Sequence, residues 1–153
     1  MLRNYFPHAL AKRRFLLAAL VLAVNAAPVF AQEESVRMCV AERNFAVVLA
    51  DTDAARAFAA LLPLELEMAE LNGNEKFAPL PQSLPARAHA PERIEAGDVM
   101  LYGADTVAVF YESFRSNYRY TRIGRVRDPH GLARALGRGD VRVRFSPERA
   151  QGC

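Results

Sequence analysis

Short runs of β-branched and aromatic residues recur from residue 36 to residue 145 of this chain of 153 residues, and turn-forming residues separate them. Runs of this length and spacing are typical of small antiparallel β domains. The predicted strands are residues 36–41, 45–50, 64–68, 99–102, 106–111, 118–126 and 141–145. Tight turns join most of them, and neither an internal repeat nor a second core is present. The pattern therefore predicts one mainly β, barrel-like domain of seven or eight strands.

Two short helices complete this prediction. Apolar residues at helical spacing predict an amphipathic helix over residues 54–62, with N-cap oxygens available in residues 51–53. Pro129 suits the first turn of a second helix over residues 131–136, and Gly137 ends that helix.

Residues 72–91 contain an Asn-Gly pair followed by four prolines, at positions 79, 81, 85 and 91. Prolines at this density break regular structure. The segment is nevertheless rich in Leu and Phe, so we predict a long irregular loop that lies over the scaffold.

Residues 1–31 have the three-part order of a secretory signal peptide, which would form a signal helix before the domain. Arg3 and Lys12-Arg13-Arg14 are basic, residues 15–24 are uncharged and apolar, and a small-residue site ends at Ala31. The apolar run is shorter than the ~20 residues of a membrane-spanning helix, which favours cleavage over anchoring. We therefore predict an exported protein, periplasmic or secreted, whose mature domain comprises residues 32–153 and has no membrane contact after cleavage.

The net positive charge is concentrated in that signal. The chain has 20 Lys and Arg against 17 Asp and Glu, and residues 1–31 hold four of the basic residues and none of the acidic ones. In the mature domain, residues 51–112 are mainly acidic and residues 115–144 are rich in arginine. Opposite charges within one small domain favour mutual pairing over nucleic-acid binding, so we expect no nucleic-acid partner.

The mature domain has two cysteines, Cys39 and Cys153. An oxidising compartment would permit a disulfide between them. The alternative is that Cys39 packs in a strand while Cys153 belongs to a frayed tail. Because a terminal residue is seldom held in disulfide geometry, the sequence favours the unpaired alternative.

A set of short motifs occurs in a fixed order along the domain. They are Ala-Ala-Leu-Leu-Pro-Leu at 59–64, Leu-Asn-Gly-Asn-Glu-Lys at 71–76, Leu-Pro at 80–81 and 84–85, Gly-Asp-Val-Met-Leu-Tyr-Gly at 97–103, Phe-Tyr at 110–111, Tyr-Arg-Tyr-Thr-Arg-Ile-Gly-Arg at 118–125 and Gly-Leu at 131–132. Together they resemble the bacterial family of small proteins with a cyclophilin-like fold, over nearly all of residues 36–146. The resemblance implies a closed β-barrel of about eight strands with two short capping helices.

The same resemblance implies no known activity, since the family is largely uncharacterised. Prolyl isomerases carry a Phe-Met-x-Gln-like strand, with an Arg, a Trp and a His around the proline pocket. This chain has no Trp and no such run, and only His89 and His130 follow the predicted signal. Fold kinship alone does not establish activity, so we do not expect prolyl isomerisation.

The turn after residue 71 is the first candidate ligand site. Asn72, Asn74, Glu75 and Lys76 bring two amides, an acid and an amine close together, and such a set can hold a small polar ligand. The alternative is an ordinary Asn-Gly turn whose amides bind their own backbone, with Glu75 and Lys76 solvated.

The second candidate is an aromatic cluster that includes Tyr111, Tyr118 and Tyr120. Strand alternation places Tyr118, Tyr120 and Arg122 on one face, and an arginine there indicates a cleft or a surface. Tyrosines could then orient a ligand whose carboxylate Arg122 binds. The alternative is that these aromatic residues form core.

Known catalytic motifs are absent from the sequence, including the nucleophile elbow, the phosphate loop, the dinucleotide fingerprint and the zinc-protease motif. The two histidines are isolated, and the cysteines lack metal-ligand spacing, so we expect neither a metal nor a cofactor. We favour a domain that binds a small molecule or an extended peptide. The alternative is an enzyme, either a weak prolyl isomerase or a lyase or hydrolase that uses Glu75, Tyr111 and Arg122. The oligomeric state stays open.

Overall fold

Eight antiparallel strands close into a barrel in the computed structural model, which describes residues 33–150, 152 and 153. The elements are β1 (Ser35–Val40), β2 (Arg43–Leu49), α1 (Asp53–Ala60), β3 (Leu64–Leu71), β4 (Glu75–Pro79), β5 (Asp98–Tyr102), β6 (Thr106–Phe110), β7 (Tyr120–Val126), α2 (Leu132–Leu136) and β8 (Val141–Pro147). The strand order around the barrel is β1-β2-β7-β5-β6-β4-β3-β8. The predicted mainly β barrel with two short helices is confirmed. The predicted signal helix lies outside the described residues.

Alternate side chains of the strands fill the barrel interior. Val99 and Leu101 of β5 are fully buried there, as the period of two in a strand requires. Phe58 of α1 packs edge-on against Phe145 of β8, with ring centroids 5.2 Å apart. Leu136 of α2 joins the same core. One core thus holds the barrel and both helices together.

The outer side of β5, β6 and β7 carries a second apolar cluster, formed by residues that alternate with those of the core. Its buried members are Ile94, Met100, Ala108, Phe110 and Tyr120. Part of the covering comes from the segment between β4 and β5, where backbone bridges join His89 to Tyr120 and Ile94 to Phe114. The expectation of an irregular segment that lies over the scaffold, made for residues 72–91, is therefore confirmed for residues 80–91.

Strand β4 lies within residues 72–91, where the sequence predicts only an irregular loop. Its alternation is unusual because the charged Lys76 is fully buried, while the aromatic Phe77 packs beside the outer cluster. Glu70 of β3 binds the Lys76 ammonium, and this ion pair makes the burial possible. Lys76 therefore occupies an inward-facing position of β4 that strand alternation normally gives to an apolar residue.

The two cysteines form a disulfide, although the sequence favours an unpaired C-terminus. Cys39 and Cys153 have Cα atoms 5.3 Å apart. The tail is held beside β1, where Arg37 Nη2 donates to the carbonyl oxygen of Glu148 at 2.8 Å and Ser35 Oγ donates to its carboxylate at 3.1 Å. Because these bonds fix the tail, the last residue is brought to Cys39 instead of fraying.

Pairing between the acidic and the arginine-rich stretches is also present. Arg142 of β8 contacts Glu67 at 2.6 Å and Glu65 at 3.5 Å across the β3–β8 pair. Arg122 of β7 contacts Asp98 of β5 at 3.1 Å. These ion pairs agree with the expectation that the two stretches neutralise each other.

Candidate functional site

The turn between β3 and β4 has the backbone geometry that its Asn-Gly pair favours. Asn72 and Gly73 have φ values of 55° and 71°, and Asn74 N donates to the carbonyl oxygen of Leu71 at 3.2 Å. Two positive φ values at the centre of a hairpin turn are characteristic of type I′ turns, which Asn and Gly tolerate best. The Tyr111 backbone N–H donates to the Asn74 carbonyl oxygen at 3.0 Å and ties the turn to the end of β6.

A paired cluster on one side of this turn holds it in place. The Glu70 carboxylate accepts hydrogen bonds from the Gly73 backbone N–H at 2.8 Å, from the Tyr111 hydroxyl at 2.8 and 2.9 Å, and from Lys76 Nζ. Lys76 Nζ also donates to the carbonyl oxygen of Gly139 at 2.6 Å. Burial raises the pKa of Glu70, but the hydrogen bonds from Lys76, Tyr111 and Gly73 outweigh it and leave that pKa below its ordinary value. Burial and the bond to Glu70 raise the pKa of Tyr111 to about 12. The cluster therefore keeps a carboxylate, an ammonium and a neutral phenol.

A cavity of about 450 Å³ opens on the outer side of the barrel beside the same turn. We name it the outer-face pocket. Its lining consists of Leu71, Asn72, Asn74, Glu75, Phe77, Tyr102, Thr106, Ala108, Phe114, Tyr118 and Tyr120. These residues come from the turn, from the outer faces of β4, β5, β6 and β7, and from the segment that leads into β7. The volume lies in the range of small-molecule sites.

Three tyrosines form an aromatic wall of the outer-face pocket. The Tyr102 ring lies 6.2 Å from that of Tyr118 and 5.8 Å from that of Tyr120, measured between centroids. Tyr102 and Tyr118 are 49% and 64% exposed, whereas Tyr120 is buried. The register of β5 and β7 places Tyr102 opposite Tyr120. The wall thus has one fixed ring at its base and two accessible rings at its mouth.

Glu75 provides the acidic group of the outer-face pocket. Its side chain is 8% exposed, and burial, followed by the charge of Glu70, raises its pKa to about 7. In turn, burial and the charge of Glu75 raise the pKa of Tyr120. A carboxyl group with this pKa changes charge near neutral pH.

Asn74 adds an unpaired acceptor to the same lining. Its Oδ1 atom is buried and has no hydrogen-bond partner among the described residues. A buried polar atom without a partner costs about 1–3 kcal/mol. The Asn74 side chain is therefore an acceptor that no described residue satisfies.

The structure brings five of the eight predicted site residues to this one cavity. They are Asn72, Asn74, Glu75, Tyr118 and Tyr120. Lys76 and Tyr111 instead belong to the Glu70 cluster. The sequence was therefore informative about which segments meet, but not about the direction in which each polar side chain points.

Arg122 does not join the outer-face pocket. It pairs with Asp98, which is 1% exposed, and it borders two other cavities of about 290 and 280 Å³. The Asp98 carboxylate also accepts a hydrogen bond from the Glu95 backbone N–H at 2.9 Å. The predicted binding of a ligand carboxylate by Arg122 next to Tyr120 is thus not supported by its position. The proposed catalytic set of Glu75, Tyr111 and Arg122 is not assembled in one cavity either.

The sequence analysis did not identify several lining residues, notably Phe77, Tyr102 and Thr106. The sequence does contain a signal for Tyr102 and Thr106, namely the alternation of a predicted hairpin. In the predicted hairpin of β5 and β6, Tyr102 pairs with Thr106, and both alternate with core residues. Phe77 carried no such signal because it lies on the unpredicted strand β4.

Within residues 33–150, 152 and 153, no group of three or more His, Cys, Asp or Glu residues is arranged to hold a metal ion. Among the same residues, no helix has the length and apolar character needed to cross a membrane.

Comparisons with known proteins agree with the barrel. The sequence model of the Cyclophilin-like family matches residues 38–146. The chain belongs to the Cyclophilin-like family. The solution structure of the hypothetical protein AF2241 from Archaeoglobus fulgidus is similar to this cyclophilin-like domain, with a TM-score of 0.51 and 16% identity over 75% of this chain and 95% of that chain. At this identity the likeness shows the fold alone. Among curated protein sequences, none matches this one.

Proposed function

We propose that this cyclophilin-like protein is exported and that it binds a small molecule in the outer-face pocket. The observation that carries the proposal is the pocket itself, in which a tyrosine wall meets a polar end with an unpaired acceptor and a buried acid. Apolar walls with a few convergent polar groups are typical of ligand sites. The Glu70 cluster supports the proposal because it fixes the turn that carries Asn72 and Asn74.

The closed barrel favours a small molecule over an extended peptide that adds as a strand. Each of the eight strands pairs on both sides, so the described residues offer no free strand edge in the barrel. Strand addition needs such an edge. A ligand of modest size that enters the outer-face pocket needs none.

Export is supported by the signal-peptide pattern of residues 1–31 and by the Cys39–Cys153 disulfide, which is typical of oxidising compartments. We expect protein recovered from the exported fraction of cells to begin within a few residues of Gln32. N-terminal sequencing measures this directly. Mature protein that retains Met1 would contradict the export proposal.

Native mass spectrometry of that recovered protein tests ligand binding. We expect an additional mass that leaves on activation, and we expect Tyr118→Ala to lose it because this change removes part of the accessible wall. Arg115→Ala is the matched control, since Arg115 is exposed in the same segment and does not line the pocket. Equal retention of the ligand by both variants would contradict the proposed site.

A second function, proton-transfer catalysis by Glu75, is supported by one observation. A carboxyl group whose pKa is about 7 can both donate and accept a proton near neutral pH, as a general acid or base must. The test is to incubate the recovered ligand with wild-type protein and with Glu75→Gln and to analyse the mixture by mass spectrometry. Conversion by the wild type alone would support catalysis, whereas an unchanged ligand in both samples would favour binding alone.

A further inference from the structure

We propose that the outer-face pocket selects a ligand that carries a protonated amine on an apolar body. This inference rests on the proposed function and names the chemical class of its ligand. The charge of the lining is the first argument. Of the lining residues, Glu75 alone is a carboxylic acid, and none is Lys, Arg or His. A ligand cation would therefore meet an acid and no competing cation, whereas a ligand anion would meet no positive partner.

Three cations close in sequence to the lining residues are already bound elsewhere. Lys76 adjoins Glu75 in the chain, but it is fully buried and bound to Glu70 and Gly139. Arg122 lies two residues beyond Tyr120 and pairs with Asp98. Arg119, between Tyr118 and Tyr120, donates to the Ala88 carbonyl oxygen at 2.6 Å. No described cation pairs with Glu75 and no positive charge lowers its pKa, so its negative charge is available to a ligand cation.

The tyrosine wall suits the same ligand. Aromatic faces attract ammonium groups, and the attraction is stronger where the contact is desolvated. The Tyr102 ring lies within 6.2 Å of both the Tyr118 and the Tyr120 ring along the wall. These rings can also cover an apolar body, as can Phe77 and Phe114. The wall therefore accommodates both parts of an amphipathic amine.

The polar end favours an ammonium group that still carries N–H bonds. The Asn74 Oδ1 atom is an acceptor without a partner among the described residues. The Glu75 carboxylate is likewise only an acceptor once it is ionised. A primary or secondary ammonium supplies donors to such groups, whereas a quaternary ammonium supplies none.

Binding of an amine should be linked to the ionisation of Glu75, whose pKa is about 7. The titratable and charged groups around it are Glu70 from β3, Lys76 from β4, Tyr102 from β5, Tyr111 after β6 and Tyr120 from β7. Lys76 is neutralised by Glu70, and the raised pKa values of Tyr111 and Tyr120 keep both phenols neutral in this range. The affinity for a permanently protonated amine should therefore rise about tenfold from pH 6 to pH 8.

Three probes of nearly equal shape test this inference. They are 2-phenylethylammonium, the neutral 2-phenylethanol and the anion phenylacetate. Each is titrated into isotopically labelled protein recovered from expressing cells, and NMR chemical shifts report the dissociation constants at pH 6 and pH 8. We expect the ammonium to bind at least about tenfold more tightly than the alcohol at pH 8, with shifts at Asn74, Tyr118 and Tyr120. We expect phenylacetate to bind most weakly.

Two variants control the experiment. Glu75→Gln should reduce the ammonium affinity to that of the alcohol and remove its pH dependence, whereas the exposed Glu92→Gln should preserve both. Equal affinity of ammonium and alcohol at the same amides would overturn the amine inference while leaving the pocket as a binding site. No shift with any probe would also overturn it, and the mass spectrometry described above would then decide separately whether the pocket binds another small molecule.

Discussion

Two glutamates of the β3–β4 hairpin, Glu70 and Glu75, have opposite surroundings. Glu70 accepts hydrogen bonds from a lysine, a tyrosine and a backbone N–H, and its pKa lies below the ordinary value. The pKa of Glu75 rises to about 7 through burial and the charge of Glu70, and no hydrogen bond from a described residue opposes this shift. The hairpin therefore contains Glu70, whose carboxylate is hydrogen-bonded by described residues, and Glu75, whose carboxyl group is not.

This difference separates structural from functional roles. Satisfied groups such as Glu70 stabilise a fold because their burial is compensated. A buried acid that borders a cavity and lacks a partner is costly, and groups of this kind are concentrated at functional sites. Glu70 holds the Asn-Gly turn in place, and the turn positions Asn74 beside Glu75. Through the turn, Glu70 thus fixes the location of Glu75.

The largest effect is expected from breaking the paired cluster. Glu70→Ala leaves the fully buried Lys76 ammonium without its anion. Loss of one partner of a buried ion pair typically lowers the free energy of unfolding by about 3–5 kcal/mol. Urea unfolding followed by circular dichroism measures the loss.

A double variant distinguishes the lost pair from general damage to the hairpin. Glu70→Leu combined with Lys76→Met replaces both charges with apolar side chains of similar size, and we expect it to recover most of the stability that Glu70→Ala loses. If Glu70→Ala unfolds no more easily than the wild type, Glu70 is not a structural anchor and the comparison fails.

Substitution of the unpaired acid, Glu75, should raise the free energy of unfolding where substitution of Glu70 lowers it, and the gain should depend on pH. Glu75 titrates near 4.5 in the unfolded chain and near 7 in the folded protein. Between these values the folded protein keeps a proton that the unfolded chain has released, so the free energy of unfolding falls as pH rises and levels off above about pH 7. Glu75→Gln mimics the protonated acid. We therefore expect this variant to match the wild type at pH 4.5 and to be more stable by about 2–3 kcal/mol at pH 8.

Urea unfolding at both pH values tests this prediction, with Glu92→Gln as a control that should show no such difference. A Glu75→Gln variant that is less stable than the wild type at pH 8 would mean that the ionised carboxylate has a stabilising partner. Glu75 would then resemble Glu70, and the distinction between the two acids would be lost.

Asp98 extends the comparison to a third acidic residue. It is 1% exposed and contacts Arg122 at 3.1 Å and Arg125 at 3.9 Å. Arg122→Ala removes the closer cation but leaves Arg125, so we expect a smaller loss, about 1–2 kcal/mol in urea unfolding. Ligand retention in native mass spectrometry should be unchanged, because Arg122 does not line the outer-face pocket. Loss of the ligand with full stability would instead make Arg122 a binding residue.

Most of the barrel could be predicted from sequence because its strands follow simple alternation. In β8, Val143 and Phe145 are buried while Arg142 and Arg144 are exposed, as the pattern indicates. Strand β4 could not be predicted, because the buried lysine disguises its inward face. The disulfide was not predicted either. Arg37 holds the C-terminal tail through a hydrogen bond to Glu148, which is distant in sequence, and the sequence gives no sign of this contact.

The two chain segments that form the candidate site could be predicted from the sequence, but not which of their side chains face the cavity. Asn-Gly chemistry fixes the turn, and strand alternation places Tyr120 on the outer face. Lys76 faces away from the cavity and Glu75 faces it because Lys76 pairs with Glu70 across the hairpin, and no strand was predicted there from which this cross-strand contact could be inferred. The register between β5 and β7 shifts by one residue where Val99 pairs with Gly124 and Met100 with Arg122, so simple alternation gives no reliable guide to the position of Arg122.

The smallest effect on stability is expected at the mouth of the outer-face pocket. Tyr118 is 64% exposed and contacts Tyr102 edge-on. Because little of its surface is buried, Tyr118→Ala should lower the free energy of unfolding by less than about 1 kcal/mol, measured by urea unfolding beside Asn117→Ala as an exposed neighbour. Tyr118 lines the outer-face pocket together with Glu75, so we expect its removal to affect binding more than folding. A loss as large as that of Glu70→Ala would show that the tyrosine wall supports the fold, and the separation between a structural cluster and a ligand site would have to be abandoned.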